Sequence, residues 1–335
     1  MKHGAVTVVA CLAVIGLLIL RLGVVKTASA PVLGVAGERL TVDGAPRFLV
    51  FFSYFDGVRR ARSGGVAEDL DYLSRHVDGV RVLPNWWAGT CPLRAGTDTL
   101  IDLDGNIRPQ VWNDLERLLD TAAAQRLAVD LTFTRETVTD NGNPPKVLTH
   151  EAYERALVDL IGNTKFLKGR FPNVLIDAQN EWPRFASPAQ MEQLLARVHE
   201  ADPQRLLAAS VSGDGYVPVG RTIATMIAAY HDPRGDSWFA PEVVARHVRA
   251  VKTAVAQPVY LQEPMPASTA CQNQVVDRDM THFAKALDSA RQGGAAAWTF
   301  HTRTAFDLAG QSLVEKLRAP AAQGERRAIE TIRGR

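Results

Sequence analysis

The 335-residue sequence predicts a single-domain α/β protein of the (β/α)8, or TIM-barrel, class, and three observations carry that prediction. Eight short apolar runs alternate with segments of helical periodicity between Phe48 and Leu317. The runs are apolar along their whole length rather than at every second residue, the pattern of a parallel sheet covered by helices. The first run passes into Ser53-Tyr54-Phe55-Asp56-Gly57, without the glycine-rich phosphate loop that a doubly wound open sheet places there. No GxxxxGKS/T and no GxSxG stands between a strand and a helix either, so the open sheet is the runner-up and the closed barrel is favoured.

Taken in order, Leu40-Thr41-Val42-Asp43-Gly44 followed by Arg47-Phe48-Leu49-Val50 reads as a hairpin with an Asp-Gly turn. The strands expected next are Phe48–Phe52, Val80–Leu83, Leu127–Phe133, Val174–Ala178, Leu206–Val211, Met226–Tyr230, Val259–Leu261 and Ala295–Phe300. Helical periodicity covers Val66–His76, Trp112–Gln125, His150–Leu167, Pro188–Glu200, Pro241–Ala256, Asp277–Gln292 and Ser312–Leu317. Ser187-Pro188 and Thr149-His150-Glu151 supply helix-start signals. Only the link between the fifth and sixth strands, around Gly213–Val219, lacks a helix.

Hydrophobic residues make up 46% of the chain and charged residues 22%, the balance of a globular protein with a sizeable core. A net charge of +2 gives no reason to expect nucleic acid or an anionic membrane as the main partner. The first thirty residues read as an export signal. Met1-Lys2-His3 is a positive start, Ala5 to Leu20 is almost wholly apolar, and Ala28-Ser29-Ala30 has a small-x-small cleavage pattern. Pro31 disfavours cleavage there, so an uncleaved signal anchor is the rival, although the run falls short of the ~20 residues a span needs unless Arg21 snorkels. Val8-Val9-Ala10-Cys11 looks like a lipoprotein box, but the apolar run continues past Cys11. Either way the body of the protein is expected outside the cytoplasm, secreted, periplasmic or associated with the envelope, with membrane association only through residues 1–30. The domain is then 31–318, followed by a tail, 319–335, rich in Ala, Arg and Glu and expected to be flexible. Cys91 and Cys271 fall on loops of one rim, as two free thiols or, in an oxidising compartment, a disulfide. Neither sits in a CxxC or Cys/His cluster, so no metal and no other cofactor is expected.

In a barrel of parallel strands, functional groups sit where the strands end. Strand two ends Arg81-Val82-Leu83-Pro84-Asn85-Trp86-Trp87, and strand four ends Gln179-Asn180-Glu181-Trp182. Strand six ends Tyr230-His231-Asp232, strand seven Gln262-Glu263-Pro264, and strand eight Trp298-Thr299-Phe300-His301-Thr302-Arg303. Two glutamates brought from distant segments to one rim are the equipment for acid-assisted cleavage of a glycosidic bond. Tryptophan, Asn, His and Arg beside them suit sugars, whose C–H faces stack on rings while polar groups bond hydroxyls.

This ordered set, Arg81, Asn180-Glu181, Glu263 and Trp298, resembles the clan of retaining (β/α)8 glycoside hydrolases, and within it glycoside hydrolase family 5, the cellulase-like enzymes. The resemblance covers about Leu40 to Leu317 and implies Glu181 as general acid/base, Glu263 as nucleophile and Asn180 as donor to the substrate 2-hydroxyl. It also implies Arg81 beneath the nucleophile and Trp298 as floor of the subsite for the cleaved sugar; His231, Trp182, Tyr230 and Trp86 are further candidate substrate contacts by their place on the rim. The chain departs from the family in having Trp182 where Pro usually follows Asn-Glu, and Tyr230-His231-Asp232-Pro233 where His-x-Tyr is usual.

Each role has chemistry behind it. Glu181 has to be protonated to serve a leaving oxygen, and a neighbouring carboxylate with partial burial is expected to raise its pKa. Glu263 has to stay ionised, which Arg81 favours. Strict alternation sends Asn180 and Glu181 to opposite sides, so both face one site only if the strand bulges or ends there. Singly, either glutamate reads equally as a strand-end residue in a salt bridge, His231 as a structural histidine, and His301 or Arg303 as an ion-pair partner. Asp177 reads as an interior hydrogen-bonding residue. The leading expectation is therefore a monomeric retaining glycosidase acting on a β-linked glycan or glycoconjugate. The alternative is a catalytically silent barrel that binds glycan or organises the envelope. A metal-dependent hydrolase lacks any HxH or HExxH motif.

Overall fold

The computed structural model describes residues 29–85, 99–137, 146–212, 215–232, 240–264, 281–302, 304–308 and 310–332. Residues 1–28 of the expected export segment (residues 1–30), with Trp86, Cys91 and Cys271, lie outside them. Among the described residues no helix is long and apolar enough to cross a membrane.

The chain opens with a three-stranded antiparallel sheet of β1 (Leu33–Ala36), β2 (Arg39–Val42) and β3 (Ala45–Pro46). The turn between the last two is the expected Asp-Gly turn. Asp43 at φ 52° and Gly44 at φ 80° both adopt the left-handed conformation that a tight two-residue hairpin demands.

Next come β4 (Leu49–Ser53), α1 (Gly57–Arg62), α2 (Val66–Ser74), β5 (Gly79–Val82), α3 (Pro109–Ala124) and β6 (Ala128–Thr132). A two-stranded ribbon, β7 (Glu136–Thr137) with β8 (Lys146–Val147), precedes α4 (His150–Gly162), β9 (Val174–Asp177) and α5 (Pro188–Ala201). Then follow β10 (Leu206–Ala208), β11 (Val211–Ser212), β12 (Met226–His231), α6 (Val244–Ala254), β13 (Val259–Leu261), α7 (Thr281–Gly293) and β14 (Ala297–Phe300). The chain closes with α8 (Leu313–Arg318) and α9 (Gln323–Ile332).

Eight parallel strand positions close into a barrel: β4, β5, β6, β9, β10 with β11, β12, β13 and β14, which pairs back to β4 with Ala297 opposite Leu49 and Phe300 opposite Phe52. The fifth position is interrupted at Ala209-Ser210: β10 pairs with both β9 and β12, β11 with β12 alone. Helices start as the sequence suggests. Ser187 and Gln190 form a reciprocal capping box on α5, and the Thr149 hydroxyl accepts from Ala152 N at 3.2 Å on α4.

The barrel interior is graded along its axis. At the N-terminal end Phe51, Leu175, Leu206, Ala208, Ile227, Ala229 and Tyr260 form an apolar floor, covered from below by Leu33 and Leu40 of the N-terminal sheet. Gly79 is required here, because a Cβ would stand 2.6 Å from the Phe51 ring and 2.7 Å from the Ala128 carbonyl oxygen. Toward the C-terminal end the inward residues turn polar. Asp130, fully buried, accepts from Thr132 Oγ1 at 3.0 Å, Tyr260 Oη at 2.9 Å and Gln262 Nε2 at 2.9 Å. The alternate residues, such as Val80, Leu131, Ile176 and Phe300, pack outward on the helices in one large cluster.

The segment after Pro320 is not the flexible tail expected from its composition. It forms α9, with Ile329 and Ile332 buried and Glu325 buried against the Thr302 and Thr304 hydroxyls. Alanine, arginine and glutamate are strong helix formers, and two isoleucines three apart give that helix a side to bury.

Candidate active site

Strand β9 ends at Asp177, which is fully buried and accepts from Ser210 N at 3.0 Å and Gln179 N at 3.3 Å, the interior role expected of it. The chain then turns sharply. Asn180 N donates to Phe133 O at 2.7 Å, and Glu181 adopts φ 47°, ψ 48°, a left-handed conformation costly for a residue with a side chain. That turn frees both residues from strand alternation and brings Asn180 and Glu181 to one side. Ser210, at the break between β10 and β11, holds it in place: its Oγ accepts from Glu181 N at 3.1 Å and lies 3.4 Å from Asn180 Oδ1, while its carbonyl accepts from Trp182 N at 3.0 Å.

Arg81, fully buried on β5, connects the rim. It donates from Nη1 to Glu263 Oε1 at 2.6 Å, from Nη2 to Asn180 Oδ1 at 2.8 Å and from Nε to Thr132 Oγ1 at 2.9 Å, with Asp130 Oδ2 3.5 Å from Nε. Burial works against its charge, but Glu263 and Asp130 outweigh it and hold the guanidinium firmly protonated. With Asn180 Oδ1 engaged by Arg81, its amide nitrogen is the donor end left for a ligand. Asp130 is pushed by burial up to about 6, against the pull of Arg81.

His231, 2% exposed at the end of β12, stands between the two glutamates, with Nδ1 3.4 Å from Glu181 Oε1 and 3.6 Å from Glu263 Oε2. One carboxylate oxygen of each glutamate and a His231 nitrogen all lie within 4.8 Å of one another, a spacing that a metal ion could bridge. Each carboxylate already has a protein cation, Arg81 on Glu263 and Arg184 on Glu181 at 2.6 Å, so the negative charge is met without one.

The acid/base expectation needs one correction. Glu181 lies below, not above, the usual carboxylate range. Hydrogen bonding from His231 is the largest cause and Arg184 adds to it, together outweighing burial and the negative Glu263, which push the other way.

Three aromatic residues expected in the cleft are placed elsewhere. Trp298 is fully buried on the outer side of β14, its ring 6.0 Å from Phe283 of α7 and 6.1 Å from Phe300. Alternation explains it: Thr299 faces inward to Tyr260 Oη at 2.8 Å, so its neighbour Trp298 faces out. Trp182, 1% exposed, and Tyr230, edge-to-face with Tyr216 at 6.4 Å, belong to the same outer cluster. The inward residue at the tip of strand eight is His301, whose Nδ1 meets Ser53 Oγ at 2.8 Å and whose Nε2 lies 3.8 Å from Glu263 Oε2. It packs against Phe55 and Phe306, and Phe55 also carries the Arg81 guanidinium 5.4 Å from its ring centre. Two-residue periodicity from Thr299 was the signal available for His301. For Ser53, Ser210 and Arg184 the sequence offered none beyond nearness to a strand end.

No protein-family model matches the chain, and no curated protein matches it in sequence. Solved structures do match in fold. A glycoside hydrolase family 5 protein from Bacteroides vulgatus aligns over 92% of this chain and 72% of its own, with TM-score 0.66 and 12% identity. An endo-1,4-β-mannanase from Rhizomucor miehei aligns over 81% of this chain and 90% of its own, with TM-score 0.57 and 13% identity. An exo-β-1,4-mannosidase from an Opitutaceae bacterium aligns over 77% of this chain and 52% of its own, with TM-score 0.55 and 16% identity. The resemblance first read from strand-end motifs thus extends to the whole architecture, and what these likenesses show is a fold shared with glycoside hydrolases of family 5.

Proposed function

We propose that the protein is a retaining glycoside hydrolase acting on a β-linked glycan or glycoconjugate, with Glu263 as nucleophile and Glu181 as general acid/base. The observation that carries this reading is the pair of carboxylates at the ends of two barrel strands, with oxygens within 4.8 Å of each other. That closeness suits direct attack by a carboxylate, since retaining enzymes keep their carboxyl groups ~5–5.5 Å apart and inverting ones leave room for water at ~6.5–9.5 Å. Arg81 on Glu263 favours the ionised nucleophile, and Asn180, oriented by Arg81, offers its amide to a sugar hydroxyl.

Because two structures of similar fold are named as an endo-1,4-β-mannanase and an exo-β-1,4-mannosidase, β-mannans and β-mannosides come first in our substrate panel, and the cellulase-like motifs add β-glucans second. The sequence of residues 1–30 supports action outside the cytoplasm on such a substrate. The test is incubation with the panel and with a 2-deoxy-2-fluoro aryl β-glycoside of the active sugar. A glycosyl group trapped on Glu263 and a first product of β configuration are expected; an α-anomer formed first would overturn the retaining mechanism.

The lowered pKa of Glu181 favours one second reading, a silent barrel that binds glycan without cleaving it. Binding of panel glycans with only slow background release, abolished by neither Glu substitution, would establish it.

A further inference from the structure

Both oxygens of the Glu181 carboxylate are already engaged. Oε1 faces His231, and Oε2 accepts from Arg184 Nη1 at 2.6 Å. A general acid has to present one of these oxygens, carrying a proton, to the leaving group. Protonation of either oxygen competes with the partner it already has, and is easiest where that partner can withdraw. His231 is held in the barrel with a side chain 3% exposed, whereas the Arg184 side chain is 58% exposed and starts from the turn directly after Glu181. Resting on the glycosidase reading above, we propose that Arg184 is a positioning residue: it clamps Glu181 before substrate binds and has to release Oε2 as the glycosidic oxygen arrives.

The charged groups around Glu181 agree with this division. Arg184 lies on its own turn, His231 reaches it from β12 and Glu263 from beyond β13. Glu136 of β7 lies near Arg184, and Arg81 of β5 engages the adjoining Asn180 rather than Glu181. Hydrogen bonding from His231, then from Arg184, stabilises the ionised carboxylate, and burial with Glu263 opposes them. Once Arg184 leaves, the opposing pair gains weight. The acid then becomes easier to protonate at the moment that the leaving oxygen needs it. No bond beyond those of glycoside hydrolysis forms or breaks; Arg184 changes only which state of Glu181 is held at rest.

The test compares the wild type, Arg184→Gln and Arg184→Lys in pH profiles of kcat/KM on two aryl β-glycosides of the active sugar, phenyl and 2,4-dinitrophenyl. Isotope-edited NMR titration of the Glu181 carboxyl is run alongside, assigned by difference with Glu181→Gln. For phenyl, which needs proton donation, Arg184→Gln moves the alkaline limb to higher pH. On that limb its activity, relative to its own maximum, rises by about two- to threefold, the scale of a half-exposed ion pair. Arg184→Lys restores the wild-type limb, and dinitrophenyl shows no Arg184-dependent displacement. Superimposable limbs, a downward displacement or an equal one for both leaving groups would overturn the clamp. If the wild type hydrolyses no glycoside, the glycosidase reading fails by itself. The titration then still decides the clamp: an upward move in Arg184→Gln supports it, and an unchanged titration sinks it.

Discussion

The two ends of this barrel solve opposite problems. At the N-terminal end Phe51, Leu175, Ile227 and the ring of Tyr260 fill the interior, and Leu33 and Leu40 close it from below, so the buried surface is mostly apolar. At the C-terminal end the same strands carry Arg81, Asp130, His231, Glu263 and His301, all buried and all polar or ionisable, beside a glutamate in a left-handed conformation. Burying charges is costly even when they are paired, and a strained backbone adds to the cost. The floor supplies stability that the rim consumes. Substitutions should therefore separate cleanly, with rim changes costing chemistry and floor changes costing stability.

The largest effect is expected from Glu263→Ala, which should lower turnover at least about a thousandfold by removing the proposed nucleophile, with partial rescue by azide. Azide rescue of Glu181→Ala alone, with an inverted glycosyl azide as product, would exchange the two roles. Glu181→Ala should come next and depend on the substrate: a loss of about a hundredfold or more on poor leaving groups and little on good ones. Equal losses on both would count against Glu181 as the acid.

At the floor, Phe51→Ala should cost about 3–5 kcal/mol of stability, read from chemical denaturation, while kcat per folded molecule changes less than about twofold. A catalytic loss as large as at the rim would mean that the two ends are not independent. Trp298→Phe sharpens the boundary and has the smallest effect on chemistry. It should destabilise the barrel–helix layer by about 1–3 kcal/mol and leave KM unchanged. A large rise in KM would return Trp298 to the cleft.

The pattern of the barrel was legible because it rests on local signals. Val259–Leu261 was delimited to the residue by its apolar run, and α4 and α5 begin where Thr149 and Ser187 cap them. The two glutamates and Arg81 were legible because each ends an apolar run, and strand ends are where a barrel exposes its chemistry. The aromatic neighbours were misjudged because closeness to a strand end does not say which side a ring takes. Inward Thr299 fixes Trp298 outward, and family resemblance had set that parity aside. The pKa direction of Glu181 was not legible either, since it is set by a histidine from β12 and by the turn that aims Arg184 back at the carboxylate. Such balances come from tertiary placement.

The carboxylate of Glu325 on α9, held by the hydroxyls of Thr302 and Thr304, has a consequence for how the molecule comes into being. The barrel closes only when β14 pairs with β4, so a growing chain shorter than Phe300 has no seam to shut. The residues just beyond that seam, next to His301, depend further on α9, which follows them in the chain. Lengths that stop before β14 carry an open sheet, and lengths that stop between β14 and α9 leave the apolar partners of Ile329 uncovered. A chain cut before α9 should therefore leave the Thr302 and Thr304 hydroxyls without their carboxylate partner, next to His301 of the candidate site.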